Sequence, residues 1–167
     1  MILTGSEIIK EYKNGNLIIE PFDEKLINPN SYNYRLGEKL KIFKEVLEGK
    51  QVFEEISIPE SGYILNPHQM YLGHTLEILG SRKYASWLIG RSSLGRLGLF
   101  LQISANLGHT GSAYSWTLEI VCSIPFKIYP KMKIGQISFW ENYGDVNNYQ
   151  GSYTRFNVPQ ISTFNEV

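Results

Sequence analysis

The feature that most constrains this chain is its punctuation. From residue 17 onward, short apolar or alternating runs are cut again and again by Pro, Gly or Asn. The runs cover residues 17–19, 32–36, 40–43, 51–53, 56–58, 63–65, 71–79, 85–89, 99–103, 116–123, 126–129 and 136–140. Between them stand Pro21, Asn28-Pro29-Asn30, Gly49, Pro59, Pro67, Gly80, Gly90, Pro125 and Pro130. Proline removes a backbone donor and glycine weakens regular structure, so long helices do not fit between such breaks. Short strands joined by turns do, and many of them in series give a sandwich or barrel. Eleven Tyr and eight Phe suit packing on pleated surfaces.

Two helical segments are expected inside this β-rich pattern. At the start, Thr4 and Glu7 have the spacing of a capping box, Ile8, Ile9 and Tyr12 form an apolar stripe, and Gly15 is a stop. This predicts a helix over residues 5–14. The second is one or two turns from Ser92 to Leu97, capped by Ser92 and ended by Gly98. Residues 1–167 read as a single domain. From about residue 141 the chain turns polar and rich in Tyr, Asn and Gly, which predicts a loop-like, mobile segment.

Composition narrows the function. At 167 residues the chain can bury a real core. Formal net charge is +0, so a broad basic surface for nucleic acid is not expected. No apolar run approaches a bilayer span, and the first residues lack the basic and apolar regions of a signal peptide. The single cysteine, Cys122, cannot form an internal disulfide and fits a reducing cytoplasm. With one Cys, and with His68, His74 and His109 scattered, the ligand set of the zinc nucleobase deaminases is missing, so no protein-bound metal is expected.

Chemistry concentrates in Arg91-Ser92-Ser93-Leu94-Gly95-Arg96-Leu97-Gly98. A helical turn beginning at Ser92 would direct free N–H groups at an anion, with Arg91 and Arg96 supplying donor pairs that match phosphate oxygens. Equally simply, Ser92 is only a cap and the arginines pair with surface carboxylates. Glu119 lies in the run Ser115-Trp116-Thr117-Leu118-Glu119-Ile120-Val121-Cys122. Strand alternation puts it with Thr117 and Val121 on one face, opposite Trp116, Leu118 and Ile120. A carboxylate in so apolar a strand is either half of a buried salt bridge, with Arg91 or Arg96 as partner, or a general acid/base tuned by its surroundings.

Several blocks in order resemble the dCTP deaminase family of the trimeric dUTPase-like superfamily. They are Ile18-Ile19-Glu20-Pro21-Phe22-Asp23, the stretch from Asn28 to Gly37, Leu72-Gly73-His74-Thr75-Leu76-Glu77, the stretch from Gly90 to Gly98, Thr117-Leu118-Glu119, and the stretch from Pro130 to Gln136. The resemblance implies a mainly β fold, a distorted dUTPase-like β-barrel of β-clip type. It implies a homotrimer with active sites between subunits, and metal-independent deamination of dCTP to dUTP and ammonia. Glu119 matches the glutamate that takes a proton from water and passes it to the base. Ser92 and Arg96 match residues that position water, base and carboxylate. Arg91 and Ser93 match the phosphate-binding part of the motif, and Ala105, with Asn106 beside it, a position against the base. Gln136, Tyr143 and Tyr149 match residues near the nucleotide. Magnesium would ride on the triphosphate.

The sequence departs from the family pattern at four places. Asn33 replaces an Asp. Gly108-His109-Thr110-Gly111 replaces an Ile-Asp-Pro-Gly block whose Asp activates water for pyrophosphate release in trimeric dUTPases. In Asn148-Tyr149-Gln150-Gly151-Ser152, Asn148 replaces a Lys and Ser152 a Gln. His109 can act as a base, since its unperturbed pKa lies near neutrality, but it would bond sugar or water differently. The exchange argues against a bifunctional deaminase–dUTPase. The alternatives to a dUTP-forming deaminase are a dUTPase-like pyrophosphatase or bifunctional enzyme, and a non-catalytic nucleotide-binding regulatory homologue.

Overall fold

The structure is a computed structural model and describes residues 1–102, 104–151 and 157–162. Helix α1 (Gly5–Lys13) leads into strands β1 (Leu17–Glu20), β2 (Ile27–Asn28), β3 (Ser31–Arg35), β4 (Lys39–Leu47), β5 (Lys50–Ser57), β6 (Tyr63–Leu65), β7 (Tyr71–His74), β8 (Ile78–Ser81) and β9 (Ala85–Gly90). The short helix α2 (Ser92–Gly95) follows, then β10 (Leu99–Leu101), β11 (Leu107–Gly108), β12 (Ala113–Tyr114), β13 (Thr117–Cys122), β14 (Phe126–Ile128) and β15 (Lys133–Trp140). They form two five-stranded sheets, ordered β10-β13-β7-β4-β5 and β11-β9-β15-β3-β2, with a three-stranded sheet β1-β8-β12 and the pair β14-β6. The mainly β class with an N-terminal helix and a short helix after Arg91 is as expected.

Alternation builds the core. Leu118, Ile120 and Cys122 of β13, Leu88 of β9, and Ile137 and Phe139 of β15 all point into one apolar cluster, joined by the fully buried Tyr32, Tyr34 and Tyr71. α1 contributes Ile8, which is fully buried. Glu48 and Gly49, both with positive φ, make the two-residue turn between β4 and β5, the geometry that matches strand twist.

Several expectations are corrected. Thr4 is the N-cap of α1, but its side chain bonds Ser6 Oγ (3.1 Å) rather than the backbone, and Glu7 pairs with Lys10 instead of closing a capping box. Residues 71–79 are two strands, not one. Between them Thr75 donates to the carbonyl of Glu77 (2.7 Å), bending the chain so that the Glu77 carboxylate turns inward. There it accepts from Arg35 Nε (2.6 Å) and Arg35 N (2.9 Å) with no solvent exposure of its side chain. The runs at 51–53 and 56–58 merge into one strand, β5 (Lys50–Ser57), because it pairs along β4 from Lys50 to Ser57 with a bulge between Phe43 and Glu45. The two-residue strands β2, β11 and β12 carry too little pattern to read.

A second buried carboxylate, Glu11 of α1, accepts from Tyr84 Oη (2.8 Å), Asn16 Nδ2 (2.9 Å) and Asn14 Nδ2 (3.2 Å), with Lys83 Nζ at 3.4 Å. The Tyr84 bond chiefly, and the other donors after it, outweigh desolvation and hold this carboxyl at about 2. No helix among the described residues is long and apolar enough to cross a membrane.

Candidate active site

The β13 alternation sends Glu119 away from the core and onto the wall of a cavity of about 360 Å³. Phe53, Met70, Leu72, Ala105, Tyr114 and Trp116 give this cavity an apolar lining, and Gln102, Ser115 and Thr117 its polar positions. Across the sheet Glu119 lies opposite Leu72 of β7. The side chain is partly exposed, so the buried carboxylate expected from the apolar run is instead a carboxylate facing a cleft. Its Oε2 accepts from Ser104 Oγ at 3.0 Å, the only bond to the carboxylate among the described residues. No ion pair joins it to Arg91 or Arg96 among those residues, so the salt-bridge reading does not hold within the chain. Ala105 is exposed beside it, and Asn106 is fixed by its carbonyl, which accepts from Leu88 N at 2.8 Å.

The other half of the expected site is elsewhere in the chain. The N-cap of α2 is Arg91, not Ser92, which is already the first helical residue. Leu94 N and Gly95 N both donate to the Arg91 carbonyl, and Gly98, at φ 84°, ends the turn as expected. Ser92, Ser93 and Arg96 are exposed. Arg91 is anchored by Nη1 to the carbonyl of Lys133 (3.3 Å), and its buried Nε has no hydrogen-bond partner among the described residues. Gly98 follows α2, and its carbonyl accepts from Ser123 N, just past Cys122. Glu119 lies about 10 Å back along β13 from that end, at ~3.3 Å per strand residue.

The substituted positions meet each other. The His109 ring stacks on Tyr149 with centroids 5.1 Å apart and planes 20° apart. Tyr149 N donates to the Thr110 carbonyl (2.9 Å), and Asn142 Nδ2 bonds Thr110 Oγ1 (2.9 Å). A Cβ on Gly111, whose φ is +89°, would come 2.9 Å from Asn148. The segment after Trp140 therefore runs against the loop that carries His109. Tyr143 on that segment is fully exposed, and Ser152 lies outside the described residues. Gln136 is on β15, where its Oε1 accepts from Ser31 Oγ (3.4 Å), beside an apolar cleft edged by Trp87, Ile89 and Trp140. Asn33 donates to the Leu26 carbonyl (3.3 Å) and to Asn28 Oδ1 (3.1 Å).

Residues that sequence reasoning missed line the Glu119 cavity. Gln102 falls inside the run of residues 99–103, where nothing marks the turn that it makes, and Ser104, which bonds the Glu119 carboxylate, carries no signal in the sequence. Gln160 N donates to Thr117 Oγ1 (3.0 Å) and Asn157 Oδ1 accepts from Ser115 N (3.3 Å), bringing the chain's last described residues to the cavity mouth. Ser115 also bonds Nδ1 of His74 (3.0 Å). Burial holds the His74 ring below its ordinary pKa. Among the described residues no group of three or more His, Cys, Asp or Glu side chains is gathered so as to hold a metal.

A sheet of this order with an N-terminal helix defines a dUTPase-like fold. The solved 2'-deoxycytidine 5'-triphosphate deaminase from Agrobacterium tumefaciens shares it, with a TM-score of 0.67 at 22% identity. That match covers 83% of this chain but only 46% of the other, so this chain spans under half of that protein's length. A dCTP deaminase-like family model matches residues 2–142, and the chain belongs to that family. Similar proteins include the "dCTP deaminase, dUMP-forming" of Clostridium beijerinckii, 46% identical over 92% of this chain and 90% of that protein. Another of the same name, from Leptospira biflexa, is 41% identical over the same shares. Both names give dUMP as product. They run against the dUTP expected from the sequence, and against the loss of phosphate cleavage inferred from His109.

Proposed function

We propose that this protein hydrolyses dCTP to dUMP, releasing ammonia from C4 of the base and pyrophosphate from the phosphate chain. The observation that carries the reading is Glu119, a carboxylate on an apolar-walled cavity beside the Ala105 backbone, with one oxygen tied to Ser104 and the other unbonded among the described residues. The names of the relatives support both the substrate and the product.

In the first step Glu119 takes a proton from water as the water oxygen bonds to C4. It delivers that proton to N3, then takes the remaining hydroxyl proton and passes it to the amino nitrogen, so that C4=O forms as the C4–N bond breaks and ammonia leaves. Ser92 orients the water and Arg96 offsets the charge that develops, both arriving from a neighbouring subunit. Support for sharing comes from the exposure of Ser92, Ser93 and Arg96 and the absence, among the described residues, of any ion pair between Glu119 and Arg91 or Arg96. A homotrimer with sites between subunits satisfies that need. Arg91 and Ser93 hold phosphate oxygens, and Ala105 and Asn106 lie against the base. Gln136, Tyr143, Tyr149 and Ser152 belong to the nucleotide's surroundings. In the second step His109 accepts the proton of the water that attacks the α-phosphorus, with its ring braced by Tyr149. Magnesium enters on the triphosphate, and the deamination step uses side chains alone. The single Cys122 favours a cytoplasmic location.

The test is to incubate the protein with dCTP and magnesium, with and without a zinc-selective chelator, and to follow ammonia, pyrophosphate and nucleotide. Equal ammonia and pyrophosphate with dUMP are expected, unchanged by the chelator. Glu119→Gln should cut ammonia release by about 10²–10⁴-fold, and His109→Ala should leave ammonia release in place while dUTP accumulates. Mixing Glu119→Gln with Arg96→Ala protomers should restore turnover. Ammonia without pyrophosphate from the wild type would remove the second step, and full activity in Glu119→Gln would remove the first.

A further inference from the structure

The ladder between β10 and β13 stops at Leu101 opposite Ile120. The next residue, Gln102, takes φ 50°, the left-handed region that a non-glycine residue seldom occupies. It turns the chain away from β13, yet it keeps hold of Glu119 at both backbone groups. Gln102 N donates to the Glu119 carbonyl at 3.1 Å, and Gln102 Oε1 accepts from Glu119 N at 2.8 Å. The side-chain amide thus stands where the next carbonyl of a continuing strand would be. Its other end, Nε2, donates to the Ala105 carbonyl at 3.0 Å. Gln102 is only 6% exposed, so these bonds have little competition from water.

We propose that Gln102 is a positioning residue for deamination, locking the Glu119 backbone and the Ala105 carbonyl into one rigid unit. The inference rests on the reading of Glu119 as the base and Ala105 as the surface for the pyrimidine. Glutamine suits the task because it offers one acceptor and one donor on a reach of two methylenes. Asn is too short, Glu lacks the donor, and Met lacks both. A misplacement of roughly 1 Å between a base and its substrate costs about 10²-fold in rate.

The experiment compares wild type, Gln102→Met, Gln102→Glu and Glu119→Gln for dCTP-dependent ammonia release across pH, alongside thermal unfolding. Gln102→Met should lose about 10–100-fold in kcat with KM within about threefold, since phosphate and base contacts remain. Gln102→Glu restores the acceptor for Glu119 N but adds a like charge near the carboxylate. Its activity should recover as pH rises, with the acid limb of the profile displaced upward. A purely structural amide would lower the unfolding midpoint and leave both the kcat–KM split and the pH limb unmoved. Gln102→Met with kcat within about twofold of wild type would overturn the proposal. If Gln102→Met does not fold, a Gln102→Glu profile superimposable on wild type overturns it instead. Retained turnover in Glu119→Gln would sink the underlying reading, whereas a dead Glu119→Gln beside a fully active Gln102→Met would sink this inference alone.

Discussion

Replacing Glu77 by Gln tests the most buried charge pair among the described residues. The Glu77 side chain has no exposure, and it accepts from Arg35 Nε at 2.6 Å and Arg35 N at 2.9 Å, tying the end of β3 to the bend between β7 and β8. The substitution keeps the shape but removes the charge and turns a donor toward donors. Removing one partner of a buried pair costs about 3–5 kcal/mol. The Arg35 side chain is 23% exposed, so water partly replaces the lost carboxylate and the lower end, about 3 kcal/mol, is expected. For a chain of this length each kcal/mol moves the unfolding midpoint by about 2–4 °C, which predicts a fall of about 6–12 °C. Differential scanning calorimetry at matched protomer concentration measures it. The double variant Arg35→Met/Glu77→Gln should recover much of the loss, because no guanidinium is left unpaired and the Gln oxygen still accepts from the backbone N of residue 35. A Glu77→Gln midpoint within about 2 °C of wild type would refute the reasoning.

Glu11 gives the fold an acid dependence. Its carboxyl is held at about 2, chiefly by the Tyr84 hydroxyl, so the folded value lies below the unfolded one of about 4.3. The stabilisation is complete above the unfolded value and is lost as pH falls toward 2. Between pH 7 and pH 3 the Glu11→Gln midpoint should therefore fall less than that of wild type, and parallel curves would count against the assignment. Gly37→Ala puts a Cβ 2.1 Å from the His74 ring, which is held by Thr75 and Ser115, and should cost about 1–3 kcal/mol in urea unfolding. Gly111→Ala places a Cβ at φ +89° and 2.9 Å from Asn148, which should push the segment carrying Tyr149 off the His109 loop. A drop in pyrophosphate release larger than the drop in ammonia release is the expected readout.

The breaks at Pro and Gly and the short alternating runs were enough to read a mainly β fold, and the alternation around Glu119 was enough to name its neighbours on the strand face. Both are local properties, set by backbone geometry over a few residues. Much of what positions the site is not local. Gln102 sits in an apolar run and looks like one more strand residue, because a positive φ on a non-glycine leaves no mark in composition. Nothing beside Glu77 or Glu11 in the sequence marks either as a buried carboxylate, because their chief donors are 42 residues away in Arg35 and 73 residues away in Tyr84. The stack of His109 on Tyr149 joins one departure to a matched residue that sequence order keeps forty positions away. What the amino-acid order determined alone was the inventory: strands, turns, a carboxylate and a cluster of arginines and serines. Which of them share a cavity, and which stand apart on one protomer, was decided only when long-range strand pairing and hydrogen bonds closed the loops between them.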